Sequence, residues 1–176
     1  IPIVGMEPAV KPAIMESKEK RIGILATEGT LKSAKFSALL EHHDGEYHFY
    51  TQPCIGLVEL IENGEINTPQ IRELVFNYLA PLKHHNVDVI VLGCTHYFYI
   101  KNIVEEYFKE PVKVIDTGAA VAKQVLNTLK KHNLLNNKKD KTPLIYSNSS
   151  SNINKVIERL MPINKDQLLF SKDFNI

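Results

Sequence analysis

Short apolar runs alternate with amphipathic stretches along almost the whole chain, and the alternation predicts strands that each lead into a helix. Arg21–Ala26 is a compact apolar run, and Val87, Val89, Ile90, Val91 and Leu92 form a second one. Neither shows the polar-every-other-residue pattern of a half-exposed strand, so both read as strands buried on two faces. Shorter strand signals fall at Ile1–Val4, Tyr47–Tyr50, Val112–Ile115, Leu144–Tyr146 and Leu168–Phe170. Between them, helical spacing is expected over Glu7–Ser17, Leu31–His43, Leu57–Ile61, Ala119–His132 and Ile153–Met161, with a further segment through Ile100, Ile103, Val104, Tyr107 and Phe108. The strongest helix signal starts at Thr68. A capping hydroxyl is followed by Pro69 at the first helical position, then by Ile71, Leu74, Val75, Tyr78, Leu79 and Leu82 on one face. This rhythm predicts an α/β fold, a parallel-sheet sandwich with helices on both faces.

Composition narrows the function without naming it. The 176 residues carry 21 Lys and Arg against 20 Asp and Glu, a formal charge of +1, so nothing points to nucleic acid or to an anionic membrane surface. No apolar run approaches the roughly 20 residues of a membrane span. The polar stretch 133–141 reads as a surface loop. Cysteines at 54 and 94 form neither a disulfide framework nor a zinc site, and a reducing cytoplasm is the expected compartment. The N-terminal Ile1-Pro2-Ile3-Val4-Gly5 reads as mid-strand and lacks an initiator Met, so the chain is expected to begin part-way through a longer protein.

The candidate chemistry gathers where strands end. Val91-Leu92-Gly93-Cys94-Thr95-His96-Tyr97 places a thiol, a hydroxyl and an imidazole directly after a buried strand. In open α/β sheets, ligands bind at the carboxyl ends of the strands. A cysteine there, beside a histidine, is in the setting that favours the thiolate, whereas an isolated buried cysteine behaves as a small hydrophobe. His96 lies two residues beyond the thiol and is placed to stabilise it or to relay a proton. Thr27-Glu28-Gly29-Thr30 ends another strand. Its hydroxyls either cap the next helix or bind an anion, and it lacks the Gly-Lys-Ser/Thr ending of a phosphate loop. Gln52-Pro53-Cys54 and Asp116-Thr117-Gly118 occupy the same rim, Asp116 reading as a helix cap. His42-His43 and His84-His85 sit at helix ends, where the dipole accounts for them without a metal. Ser147–Ser151 reads as turn and helix-start chemistry.

These rim residues resemble the cofactor-independent aspartate/glutamate racemase family. Residues 91–97 match its second cysteine motif, with Phe98 where a proline is usual. Ile1–Pro8 resembles the family's inter-domain strand and turn, and Ile22–Thr30 its substrate-binding loop. Leu57-Val58-Glu59 resembles a segment that supplies an acidic residue near the site, and Val114–Gly118 the strand leading back into the first lobe. The resemblance implies one complete lobe over residues 1–116 and, over 117–176, the segments that close a second lobe. That second lobe would carry an Asp-Ser-Gly segment and a cysteine followed by Asn-Thr, neither of which occurs here.

The implied activity is interconversion of L- and D-glutamate for peptidoglycan synthesis, in the cytoplasm and without a cofactor or metal. Cys94 would be the acid/base on one face of the substrate, aided by His96. Thr27, Thr30 and Thr95 would bind the substrate, and Glu59 would tune ionisation nearby. The partner thiol is expected outside this chain, although the sequence alone leaves Cys54 open. The resemblance further implies a homodimer for the full-length protein and near-inactivity for this chain alone, with apolar faces exposed from about Ala120 onward. Aspartate or a related amino acid remains an alternative substrate, and a non-catalytic α/β binding module an alternative function. A cysteine hydrolase fits less well, because a nucleophile and base placed within three residues of chain rarely reach the geometry of such pairs, whose members usually come from separate elements.

Overall fold

The computed structural model describes residues 2–43, 45–108, 111–136, 145–147, 153–161 and 168–170. Four parallel strands form the main sheet: β1 (Arg21–Ala26), β2 (His48–Pro53), β3 (Val89–Leu92) and β4 (Lys113–Ile115), in the spatial order β2-β1-β3-β4. Ile22 pairs with Phe49 on one side and Val89 on the other, and Val89 pairs in turn with Lys113. From β1 the chain moves outward to β2, then crosses back to β3 and continues outward to β4. The winding therefore reverses between β1 and β3, and the crevice beyond their carboxyl ends is where an open α/β sheet holds its ligand.

The two inner strands are buried on both faces, as their apolar runs predict. Their side chains alternate between two cores, as the period of two requires. Ile22, Ile24, Ala26, Val89 and Val91 pack with Val10 and Ala13 of α1 (Val10–Glu16) and with Phe36. Leu25, Ile90, Leu92 and Val114 face the other way, toward α4 (Leu57–Glu62), α5 (Pro69–His84) and α6 (Lys101–Tyr107). Helix α5 is the main cover on that side. Thr68 caps it by accepting a bond from the Ile71 amide, and Ile71, Val75, Leu79 and Leu82 are all at or below 1% exposure. Burying side chains of this size contributes about 1.5–3 kcal/mol each. Gly23 lets the helix approach, since a Cβ there would lie 2.7 Å from Ile90 Cδ1 and 3.1 Å from Leu82 Cδ1.

Several elements depart from the sequence reading. Pro2–Val4 is not a strand, and Ile3 is 92% exposed. A strand needs a paired neighbour, and Pro2 has no amide to donate. The helix expected over Leu31–His43 is two: α2 (Glu28–Leu31) and α3 (Ala34–Glu41), broken where Ser33 turns to cap α3 through the Phe36 amide. After Cys94 the chain enters a 3-10 helix, Thr95–Ile100, before α6 begins. Tyr97 and Ile100, three residues apart, are both fully buried, a spacing that three residues per turn places on one face.

Beyond β4 the organisation changes. Helix α7 (Gly118–Lys131) buries none of its residues, and Val125 and Leu126 are 39% and 43% exposed. Strands β5 (Ile145–Ser147) and β6 (Leu168–Phe170) pair in parallel as a separate two-stranded sheet, with α8 (Ile153–Leu160) between them in sequence. Most of the expected 133–141 loop, Leu144 of the predicted strand and all but the first residue of the Ser147–Ser151 cluster lie outside the described residues.

Candidate active site

The crevice at the winding reversal is a cavity of about 600 Å³. Its floor comes from the ends of β1 and β3: Thr27 on one side, Gly93, Cys94 and Thr95 on the other. Thr30, Ser33 and Phe36 from α2 and α3 form one wall, and Thr117 after β4 is 9% exposed at the far edge. Met6, Glu7 and Pro8 line the outer side.

Backbone geometry sets the thiol in place. The Gly93 amide bonds to the Leu25 carbonyl at 2.7 Å, so β1 and β3 stay paired to the last residue before Cys94. Gly93 is required there, because a Cβ would sit 2.8 Å from that same carbonyl oxygen. Cys94 is extended and hands its carbonyl to the Tyr97 amide at 3.1 Å, starting the 3-10 turn that carries His96 back beside it. The Cys94 Sγ to His96 Nδ1 distance is 3.6 Å. On its other side, His96 Nε2 lies 3.1 Å from Glu62 Oε1 of α4.

Across the cavity, Thr27 and Thr30 form a hydroxyl pair 3.0 Å apart, and the Thr30 amide donates to Thr27 Oγ1 at 3.3 Å. Thr27 is thus a helix cap as well as a cavity hydroxyl. The two uses do not compete, because an accepting cap leaves the hydroxyl proton to donate elsewhere. Glu7 and Lys35 meet at 2.5 Å where the outer segment approaches α3, and the Lys35 ammonium holds the Glu7 carboxyl below the usual carboxylate range.

Of the residues singled out from sequence, Cys94, Thr95, Thr27 and Thr30 line one cavity, and His96 contacts the thiol from behind. Glu59 is exposed on α4 and does not line the cavity. Burial raises the pKa of the Tyr78 phenol, and the Cys54 sulfur and Glu59 carboxylate add to that rise. Cys54 is also outside the cavity lining. It is 3% exposed, its Sγ points at the Gln52 carbonyl 3.5 Å away, and burial pushes its thiol up to about 12. Asp116 behaves as the expected cap, accepting from the Gly118 amide at 2.9 Å and from Lys101 Nζ at 3.3 Å. Among the described residues, no three His, Cys, Asp or Glu side chains converge on a point that could hold a metal ion.

The sequence reading missed Glu62, Ser33 and the Glu7–Lys35 pair. A signal for Glu62 was present: Leu57 and Ile61 are buried on α4, which leaves 59 and 62, three apart, on an outward face. Choosing between those two carboxylates required knowing where α4 ends relative to β3.

Residues 1–125 match the Asp/Glu/Hydantoin racemase family. The chain is 44% identical to the glutamate racemase of Pseudomonas aeruginosa over 163 residues, which are 93% of this chain and 60% of that protein. It is 51% identical to the glutamate racemase of Pseudomonas syringae pv. tomato over 134 residues, 76% of this chain and 49% of that protein. It therefore spans about half to three fifths of the length of these relatives. Among solved structures it is similar to Escherichia coli glutamate racemase in complex with L-glutamate and the activator UDP-MurNAc-ala. That likeness has a TM-score of 0.77 at 24% identity, covering 97% of this chain and 64% of that one. It is also similar to the Francisella tularensis enzyme in complex with D-glutamate, with a TM-score of 0.75 at 23% identity, covering 92% and 61%. At those identities the structural likeness speaks for the fold, and the sequence match carries the family. By that match and by the thiol motif at the end of β3, the chain belongs to the Asp/Glu/Hydantoin racemase family.

Proposed function

We propose that this chain supplies half of a cofactor-independent glutamate racemase site, with Cys94 as the acid/base on one face of the substrate. The observation that carries the reading is the placement of Cys94 on the floor of the cavity, opposite the Thr27–Thr30 hydroxyl pair and backed by His96. Glutamate is the preferred substrate because the similar proteins are named for it and two similar structures hold its isomers. The product D-glutamate would serve peptidoglycan synthesis in the cytoplasm.

Racemisation removes the Cα proton from one face and returns a proton to the other. In this reading the Cys94 thiolate takes the proton, leaving a carbanion whose charge spreads into the α-carboxylate. A protonated group on the opposite face then delivers its own proton, and the roles reverse for the other isomer. Thr27, Thr30 and Thr95 donate hydroxyl hydrogen bonds to the substrate's carboxylates, stabilising the charge as it builds. His96 takes up or returns the thiol proton between turnovers. The opposite acid is not Cys54, which is buried outside the cavity lining with its thiol donating to the Gln52 carbonyl, so a group outside these residues supplies it. Residues 1–116 act as one lobe in this account, and 117–176 belong to the lobe that brings the second group.

The test is exchange of the glutamate Cα proton in deuterated water by the full-length gene product, started from each isomer separately. Interconversion in the parent and its loss in Cys94→Ser are expected. Exchange of aspartate in place of glutamate would overturn the substrate assignment, and no exchange of either would overturn the racemase reading and favour a binding module.

A further inference from the structure

We infer that the Thr117 hydroxyl is a further substrate-binding group, holding the substrate carboxylate that the Thr27–Thr30 pair does not. The inference deepens the racemase reading and rests on it. Its starting point is burial. Among the described residues, leaving aside the Cys54 thiol and the Tyr97 phenol, Thr117 is the most deeply buried one with a polar side chain, at 9% exposure. Buried hydroxyls are normally hydrogen-bonded. This one has no hydrogen-bond partner among the described residues.

The local chain explains why the hydroxyl is free. Thr117 stands just before α7, where a threonine ordinarily caps the helix by accepting from a first-turn amide in an extended conformation. Here its backbone is already helical, with φ −87° and ψ −11°, and its side chain makes no cap. Asp116 has taken that task, accepting from the Gly118 amide at 2.9 Å and held by Lys101 Nζ at 3.3 Å. Nor is the hydroxyl sealed in. Among the described residues, His43 Nε2 is the only fully enclosed side-chain nitrogen or oxygen without a partner, so Thr117 Oγ1 reaches open space. Thr117 lines the cavity that holds Cys94.

Strand order supplies the partner. The neighbouring strands β1, β3 and β4 lead into Thr27, Cys94 and Thr117 respectively. Leu25 pairs with Leu92 and Val91 with Ile115, so the three residues leave the sheet within one residue of the same height. Cys94 is in the middle, flanked by hydroxyls two strand spacings apart, on the order of 10 Å. A substrate that gives its Cα proton to Cys94 holds that carbon over the middle strand. A dicarboxylic amino acid then sends one carboxylate toward Thr27 and Thr30 and the other toward Thr117. A hydroxyl without a protein partner breaks no internal bond when the carboxylate arrives, and a substrate lacking that carboxylate leaves it unbonded.

The experiment uses the full-length gene product and reads how well glutamate protects Cys94 from iodoacetamide, by mass on its own peptide. Thr117→Val removes the hydroxyl and keeps the shape. It should raise the half-protecting glutamate concentration about ten- to hundredfold, the loss expected of one hydrogen bond to a charged group. Thr117→Ser restores the donor and should recover most of that loss. The urea midpoint of Thr117→Val should not fall, because the hydroxyl removed has no protein partner. Unchanged protection in Thr117→Val, no recovery in Thr117→Ser, or a lowered urea midpoint would each overturn the inference and leave the racemase reading standing. Aspartate protecting the parent where glutamate does not, with the same dependence on Thr117, would keep the inference and remove the glutamate assignment. Protection by neither would overturn the inference, whereas the racemase reading falls only if proton exchange fails as well.

Discussion

The ends of β2 and β3 each present a cysteine just past a parallel strand, and the two sulfurs have opposite fates. Cys54, directly after Pro53, turns inward. Its amide bonds to the Ala26 carbonyl at 3.0 Å, its carbonyl accepts from the buried Tyr97 hydroxyl at 3.4 Å, and Leu57 and Ile61 close over it as part of the core. Cys94, two residues past Leu92, faces the cavity with an imidazole behind it. One strand lies at the edge of the sheet and the other beside the winding reversal, so the same residue type becomes a core atom in one place and a candidate base in the other. Reactivity here is decided by topology before side-chain chemistry enters.

The sharpest way to break that comparison is differential labelling. A thiol at about 12 is ionised to only about one part in ten thousand at pH 8, and Cys54 is in addition shielded from reagent. Iodoacetamide at pH 8 should therefore modify Cys94 at least a hundredfold faster than Cys54 in the folded chain, with the ratio collapsing toward one in denaturant. Comparable rates in the folded state would show that the end of β2 opens to solvent and would return Cys54 to consideration as a base.

Gly93→Ala attacks the geometry that separates the two sites. Its new methyl would meet the Leu25 backbone carbonyl at 2.8 Å and Ala26 Cβ at 3.1 Å, neither of which is the free end of a flexible side chain. Overpacking of this kind costs about 1–3 kcal/mol. The strain falls between the ends of β1 and β3, so the urea midpoint should drop and Cys94 labelling should change in the same variant, while Cys54 stays protected.

Serine substitutions separate stability from function. Cys54→Ser puts a hydroxyl into an apolar core and should cost about 1–2 kcal/mol in urea unfolding, with little effect on proton exchange beyond that of lost fold. Cys94→Ser should move stability by less than about 0.5 kcal/mol, since the site is half open, yet abolish the racemisation proposed for the full-length gene product. If Cys54→Ser were the silent variant and Cys94→Ser the unstable one, the assignment of core and site would be inverted.

Much of this was legible in the sequence, and the limits follow a physical line. The inner strands were plain because residues buried on two faces leave uninterrupted apolar runs, and α5 was plain because Thr68, Pro69 and the spacing from Ile71 to Leu82 agree. Cys94 stood out because a strand end in an α/β chain already carries a prediction about ligands. What stayed hidden depends on distances between elements. The hydrogen bond to the Cys54 carbonyl comes from Tyr97, 43 residues later, and the Glu62–His96 contact spans 34 residues. Residues 1–4 had strand propensity, yet among the described residues no strand pairs with Pro2–Val4, and propensity without a ladder does not make a strand.

The break between α2 and α3 is a further example, and it carries the smallest of the expected effects. The apolar spacing of Leu31, Phe36, Leu39 and Leu40 reads as one helix, and only a local contest at Ser33 divides it. The Ser33 hydroxyl donates to the Thr30 carbonyl at 2.9 Å and accepts from the Phe36 amide at 3.2 Å, closing one helix and opening the next. The division turns Phe36 into the core beneath the cavity while Thr30 and Ser33 remain on its wall. Ser33→Ala should cost about 1 kcal/mol, the usual loss for an N-cap, measured by urea unfolding. Because the cap lies across the cavity from the thiol, Cys94 labelling should be unchanged. A large change in labelling would mean that the α2–α3 wall and the end of β3 move together, and that the cavity is one mechanical unit, not two facing surfaces.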